Sequence, residues 1–215
     1  MKNNSNILIS NWNPIYAWRS TKKKIIFVIM NDSYEKPDKG KILISAPYLN
    51  DIFKRSVILL TENDENGTVG FIINKPLRLK IHEVIEDFPN FDATVHLGGP
   101  VQPDMLNFIH KSGDVIDGGY EISNGIYWGG NFETFKILAE AGSLNPSDFR
   151  FFLGYAGWNP NQLTNELKTN SWYVNSLSLD DIFSNDSEHL WQKILNNMGG
   201  EYKVIATFPE DPSVN

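Results

Sequence analysis

The chain has 215 residues, 41% of them hydrophobic and 13% aromatic, with no cysteine and a formal charge of -7. Its length fits one generous domain, its apolar content excludes disorder over most of the chain, and no apolar run approaches the roughly 20 residues of a membrane-spanning helix. The absence of cysteine removes disulfides, thiolate catalysis and cysteine-held metals, and fits a reducing cytoplasm best, while the acidic balance disfavours a broad basic face for nucleic acid.

Residues 1–39 differ in character from the rest of the chain. Asn, Ser and Lys dominate up to Lys24, an apolar burst runs from Ile25 to Met30, and Asn31 to Gly40 reads as a solvated linker. The burst is shorter than the roughly 7–15 apolar residues of a secretory h-region and no small-residue cleavage site comes after it, so an added edge strand is preferred to a signal peptide. The expected organisation is a flexible N-terminal extension over 1–39 and a folded domain over 40–215. If the functional chain instead starts at Met30, deleting residues 1–29 leaves the thermal midpoint nearly unchanged.

From Lys41 the punctuation is regular. Lys41 to Ala46 reads as a buried strand stopped by Pro47, Ser56 to Thr61 as a second rich in branched residues, and Val69 to Ile73 as a third ended by Asn74-Lys75-Pro76. Asn63 to Gly67 between them is a hairpin loop by composition, with Asn66 or Gly67 free to take positive φ. Ile81, Val84, Ile85 and Phe88 recur at helical spacing, which predicts a short amphipathic helix over 81–87. Further strands are expected at 94–97 and 106–110, then a helix marked by Phe132, Phe135, Leu138 and Ala139 and closed by Gly142. Phe149 to Leu153 reads as an aromatic, fully apolar strand, Pro160 to Lys168 as a helix, and Leu190, Ile194 and Leu195 as part of another. Strands that cluster early with helices interspersed late predict an α+β domain with a mixed or antiparallel sheet.

No catalytic set emerges. Glu62 to Gly67 opens like a calcium loop, but the acid required at the twelfth position is Ile73, in a predicted strand. His82, His96, His110 and His189 sit on separate elements without metal-ligand spacing. GxSxG, Walker and GxGxxG motifs are all missing, so neither a metal nor a cofactor is expected.

Three segments remain as candidate ligand sites. In the first, Phe149 to Leu153 enters Gly154-Tyr155-Ala156-Gly157-Trp158, read as a tight glycine turn leading to a helix with Asn159 at its N-cap, Pro160 first and Gln162 third. Exposed amides there would suit an anion beside the helix dipole; equally, the glycines serve only to reverse the chain while Tyr155 and Trp158 pack across the corner. Gly98-Gly99-Pro100 after a strand is a similar case, and convergence of the two turns would favour a ligand. In the third, Asp51 and Arg55 lie between two apolar strands, either as a structural ion pair or with Arg55 as an anion receptor, because an unpaired buried charge is costly.

With these residues in hand, the chain resembles the YqgE/AlgH family of bacterial proteins from about Gly40 to near the C-terminus. The resemblance rests on Pro47, Leu49, Asp51, Phe53, Arg55-Ser56-Val57, on Gly67 and Gly70 followed by Asn74-Lys75-Pro76, on Gly98-Gly99-Pro100-Val101, and on Gly154 to Trp158 followed by Gln162-Leu163, Glu166-Leu167 and Trp172. It implies a cytosolic α+β protein whose strongly bent sheet is flanked by helices, and no established reaction. Some members carry a transcriptional-regulator label, but no basic face or helix-turn-helix is visible here. Members with Cys and His after the second strand differ from this chain, which has Leu60-Thr61-Glu62-Asn63 there. The resulting expectation is a non-enzymatic protein acting through a small anionic ligand or a protein partner, with Asp51, Arg55, Asn74, Gly98, Gly99, Gly154, Gly157 and Trp158 as binding residues. The alternative is a sensor or enzyme holding an anion at the glycine turns.

Overall fold

A computed structural model describes residues 35–209; the 25–30 burst and its edge-strand reading lie outside them. The fold grows from an antiparallel meander of β1 (Ile42–Ser45), β2 (Val57–Asp64) and β3 (Gly67–Ile72). Both faces of this meander are covered, which is why its strands read as continuous apolar runs rather than alternating ones. Asp64 caps the β2–β3 turn by accepting from the Asn66 N–H at 2.7 Å, and Gly67 supplies the positive φ of 139°.

Next come β4 (Pro76–Lys80), α1 (Ile81–Val84), β5 (Thr94–Leu97), β6 (Val101–His110), β7 (Tyr120–Ser123), β8 (Ile126–Trp128) and α2 (Phe132–Glu140). The organising strand is β9 (Phe149–Trp158), which is followed by α3 (Gln162–Lys168), β10 (Trp172–Asn175), α4 (Leu179–Ile182), α5 (Leu190–Met198) and α6 (Gly200–Ala206). The N-terminal half of β9 pairs in parallel with β5, its C-terminal half pairs antiparallel with β3, and β6 runs antiparallel along its other edge. Gly154, at φ 70°, bends the strand between these halves. The sheet path is β10-β1-β2-β3-β9-β6-β8-β7, with β4 and β5 branching from β9. The fold is thus α+β, one open, bent, mostly antiparallel sheet with helices against it.

Three apolar clusters hold it. Ile42, Ile44, Leu59 and Phe71 meet Trp191, Ile194 and Leu195 of α5, and the buried Trp191 indole donates to the Ser45 carbonyl at 2.9 Å. The opposite face sets Leu43, Ile58, Leu60 and Ile72 against Trp158, Leu163 and Trp172. The third cluster packs Phe135 of α2 against Phe108, Phe149 and Phe151. Each such side chain contributes roughly 1.5–3 kcal/mol by leaving water.

Several expectations need correction. The 149–153 strand continues through Gly154 to Trp158, so the glycine segment is sheet and not a turn, and Arg150 interrupts its apolar character. The helix after it begins at Gln162 with Asn161 in the left-handed conformation as N-cap, although the Gln162 side chain still accepts from the Asn159 N–H at 3.0 Å. The 81–87 helix stops at Val84 because Ile85 is extended. Strands β4, β7, β8 and β10 are additional to those expected, being short segments that their sheet partners define. Glu35 pairs with Lys41 at 3.0 Å and the Pro37 carbonyl accepts from Asn63 of β2 at 2.9 Å. Gly142 does close α2 with φ 64°. No helix among the described residues is long and apolar enough to cross a membrane.

Candidate functional site

Asn74 organises the segment that links β1 to β2. Its Oδ1 accepts from the Val57 N–H and its Nδ2 donates to the Arg55 carbonyl, both at 2.8 Å. Only a carboxamide offers a donor and an acceptor in that arrangement. The clamp holds Arg55 at φ 50°, a left-handed conformation that a residue with a long side chain adopts only when its surroundings impose it. Arg55 is thereby turned towards the C-terminal helices, where its guanidinium donates to the Phe208 carbonyl and lies over the Trp191 ring at 5.1 Å. The anticipated Asp51–Arg55 ion pair is not formed: Asp51 accepts instead from the Phe53 N–H at 2.8 Å, closing its own turn.

These three residues share a cleft of about 730 Å³ with Lys54, Lys75, Glu188 and His189. Lys75 donates to the Ile52 carbonyl at 2.5 Å, whereas Lys54 is half-buried beside it. Three cations therefore face two carboxylates, Asp51 and Glu188. His189, also in the cleft, is hydrogen-bonded to Asp186 at 2.7 Å, and that bond with the carboxylate's charge raises its pKa above the ordinary value. The Lys54–Arg55 doublet and Lys75 stand beside residues already singled out in the sequence. What sequence reasoning missed is that 188–192 folds over them.

The glycines converge elsewhere, and for a different reason. A Cβ on Gly98 would stand 2.1 Å from the Gly154 carbonyl oxygen, one on Gly99 2.2 Å from the Tyr155 carbonyl carbon, and one on Gly154 2.5 Å from the Gly99 oxygen. Backbone crosses backbone there, and the Gly98 N–H is already given to the Leu153 carbonyl at 2.8 Å. Gly157 and Trp158 line another concavity, of about 490 Å³, together with Glu62 and Asp64, an acidic setting opposed to an anion. The Trp158 and Trp172 indoles both donate to one oxygen of Glu166, at 2.9 and 2.7 Å, which gives the tryptophans and this glutamate a shared structural role.

Comparison with known proteins agrees with the resemblance. The DUF179 family model, described as AlgH-like, matches residues 42–203. A UPF0301 protein of Chlorobium phaeobacteroides is 42% identical over 187 residues, covering 86% of this chain and all of that relative. One from Cytophaga hutchinsonii is 43% identical over 179 residues, covering 82% of this chain and 98% of the relative. Among solved structures, the AlgH protein from Pseudomonas aeruginosa aligns with a TM-score of 0.64 at 27% identity, over 80% of this chain and 94% of that one. A Corynebacterium diphtheriae protein shares the fold with a TM-score of 0.67 at 22% identity, over 81% and 94%. A family model spanning β1 to α6, together with full-length relatives above 40% identity, places this chain in the AlgH-like family.

Proposed function

We propose that this AlgH-like protein is a non-catalytic cytoplasmic protein that works by binding a small anionic ligand in the Arg55 cleft, in a regulatory capacity. One observation carries the reading: Lys54, Arg55 and Lys75 converge on a single cleft of a chain whose formal charge is -7. Cations gathered in a concavity concentrate an anion there despite the acidic surroundings. Three cations fall short of the roughly 6–10 phosphate contacts typical of strong duplex binding, so a small ligand suits the cleft better than DNA.

A thermal-shift panel of nucleotides, sugar phosphates and dicarboxylates tests this. A ligand at about a hundred times its Kd adds about 2.7 kcal/mol, which raises the midpoint of a domain this size by roughly 5–10 °C. Lys54→Met is expected to keep the unliganded midpoint and lose the response. Arg55→Met is expected to lose both, because it also breaks the Phe208 and Trp191 contacts. Silence of the wild type across the panel, with a specific protein recovered on an immobilised chain, would replace the ligand by a partner.

A further inference from the structure

A second cavity, of about 490 Å³, lies where β5 and the start of β9 meet the 183–187 segment. Its floor holds Arg150, only 4% exposed. One guanidinium nitrogen donates to the Ile73 carbonyl at 2.5 Å and approaches His96 Nε2 at 3.5 Å, and the other donates to the Ser184 carbonyl. Burial lowers the guanidinium pKa to about 10, so the group remains a cation at neutral pH. Among the described residues no carboxylate forms an ion pair with it. Carbonyl dipoles solvate this charge but do not neutralise it, and a desolvated charge without a counter-charge is expensive.

The remaining polar groups of the cavity specify what would balance it. Lys80 at the rim is already paired with Asp92 at 2.7 Å. His96 is held neutral, its pKa lowered to about 3 by burial and by the Arg150 charge. Because Nε2 faces the Arg150 N–H, the ring proton belongs on Nδ1, which is buried without a hydrogen bond. One positive charge is therefore uncompensated. A monoanion matches it, whereas a phosphate dianion would leave an excess negative charge in a low-dielectric site. The neighbouring walls are Ala93, Phe149 and Phe183, apolar surface suited to the body of a ligand, and Ser187 adds a hydroxyl.

We infer that this cavity is a binding site for a small monocarboxylic acid with an apolar body, its carboxylate held by the Arg150 guanidinium. The site is distinct from the Arg55 cleft and does not depend on it. A guanidinium offers a planar carboxylate paired hydrogen bonds, a geometry lysine cannot supply.

Benzoate is the probe, with benzyl alcohol as its neutral counterpart and inorganic phosphate as the alternative anion. Binding is followed by calorimetry and by the side-chain Nε–H resonance of Arg150. Benzoate is expected to bind and to shift that resonance, with benzyl alcohol and phosphate at least tenfold weaker. Arg150→Lys is expected to weaken benzoate by about tenfold or more. Since Arg150 also supports the fold, Asn185→Trp, at an exposed rim position, provides a variant that blocks the entrance without touching the cation. It should keep the wild-type midpoint and lose benzoate. Lys54→Met, which keeps the unliganded midpoint, should bind benzoate as the wild type does. Failure of benzoate to bind the wild type, equal binding of phosphate, or full binding by Asn185→Trp would each overturn the inference. Loss of benzoate in Lys54→Met would reassign it to the first cleft, refuting the second site while sparing the proposed function.

Discussion

Acidification should destabilise this protein through His96 well before its carboxylates protonate. The ring is 4% exposed, and its desolvation together with the Arg150 charge lowers its pKa from 6.5 to about 3. Between those values the unfolded chain binds a proton that the native state excludes, so stability falls as pH falls, by up to about 1.4 kcal/mol per unit. From about pH 6.5 to about pH 4.5 that amounts to about 2–3 kcal/mol, a sizeable part of the roughly 5–15 kcal/mol of a typical domain. His110, also shifted down by burial, adds in the same direction, while His189, shifted up and fully exposed, opposes it weakly. Asp92 and Asp181 have lowered values, so they lose their stabilising charge mainly below this window. The assay is urea denaturation followed by tryptophan fluorescence at about pH 7 and about pH 4.5, for the wild type and His96→Gln. Glutamine leaves Arg150 an acceptor but takes up no proton. The variant is expected to be less stable at neutral pH and to have a pH dependence shallower by about 2–3 kcal/mol across the window. Parallel curves, or an NMR titration placing His96 near its ordinary value, would refute the reasoning.

Removing the carboxylate that joins two indoles, in Glu166→Ala, should cost about 2–4 kcal/mol, because a charge-assisted acceptor is lost and two indole N–H groups are left without it; denaturant unfolding measures this, and Glu166→Gln should recover part of the loss. Gly99→Ala places a methyl 2.2 Å from the Tyr155 backbone at φ 158°. Since backbone cannot yield as a side chain does, a loss of about 3 kcal/mol or a failure to fold is expected, read as the thermal midpoint. The pKa of His189 should lie above that of a free histidine and drop towards it in Asp186→Asn, as followed by NMR. Any anion affinity of the Arg55 cleft should therefore weaken as pH rises through the His189 pKa.

The residue pattern alone determined the family and most of the frame. Branched apolar runs announced β1 to β3, and Gly142 announced the end of α2, because these are local consequences of side-chain shape and backbone freedom. The short strands β4, β7, β8 and β10 were illegible, since their pairing is non-local and their side chains carry no period of their own. The glycine-rich blocks were legible as special positions but not as to why: Gly154 reads as a turn until β3 and β6 are found beside it, drawing it into the sheet. Asn74 and Arg55 were visible as neighbours of the same strands, while the arrival of Trp191 and His189 above them depended on how α5 packs. Arg150 was hidden inside an aromatic strand, although an arginine in such a run is itself the sign that a buried partner is required. Sequence thus determined which residues are constrained, through local sterics and hydrophobicity. Tertiary structure decided which of them share a cavity, because charge and burial belong to the assembled chain rather than to any segment of it.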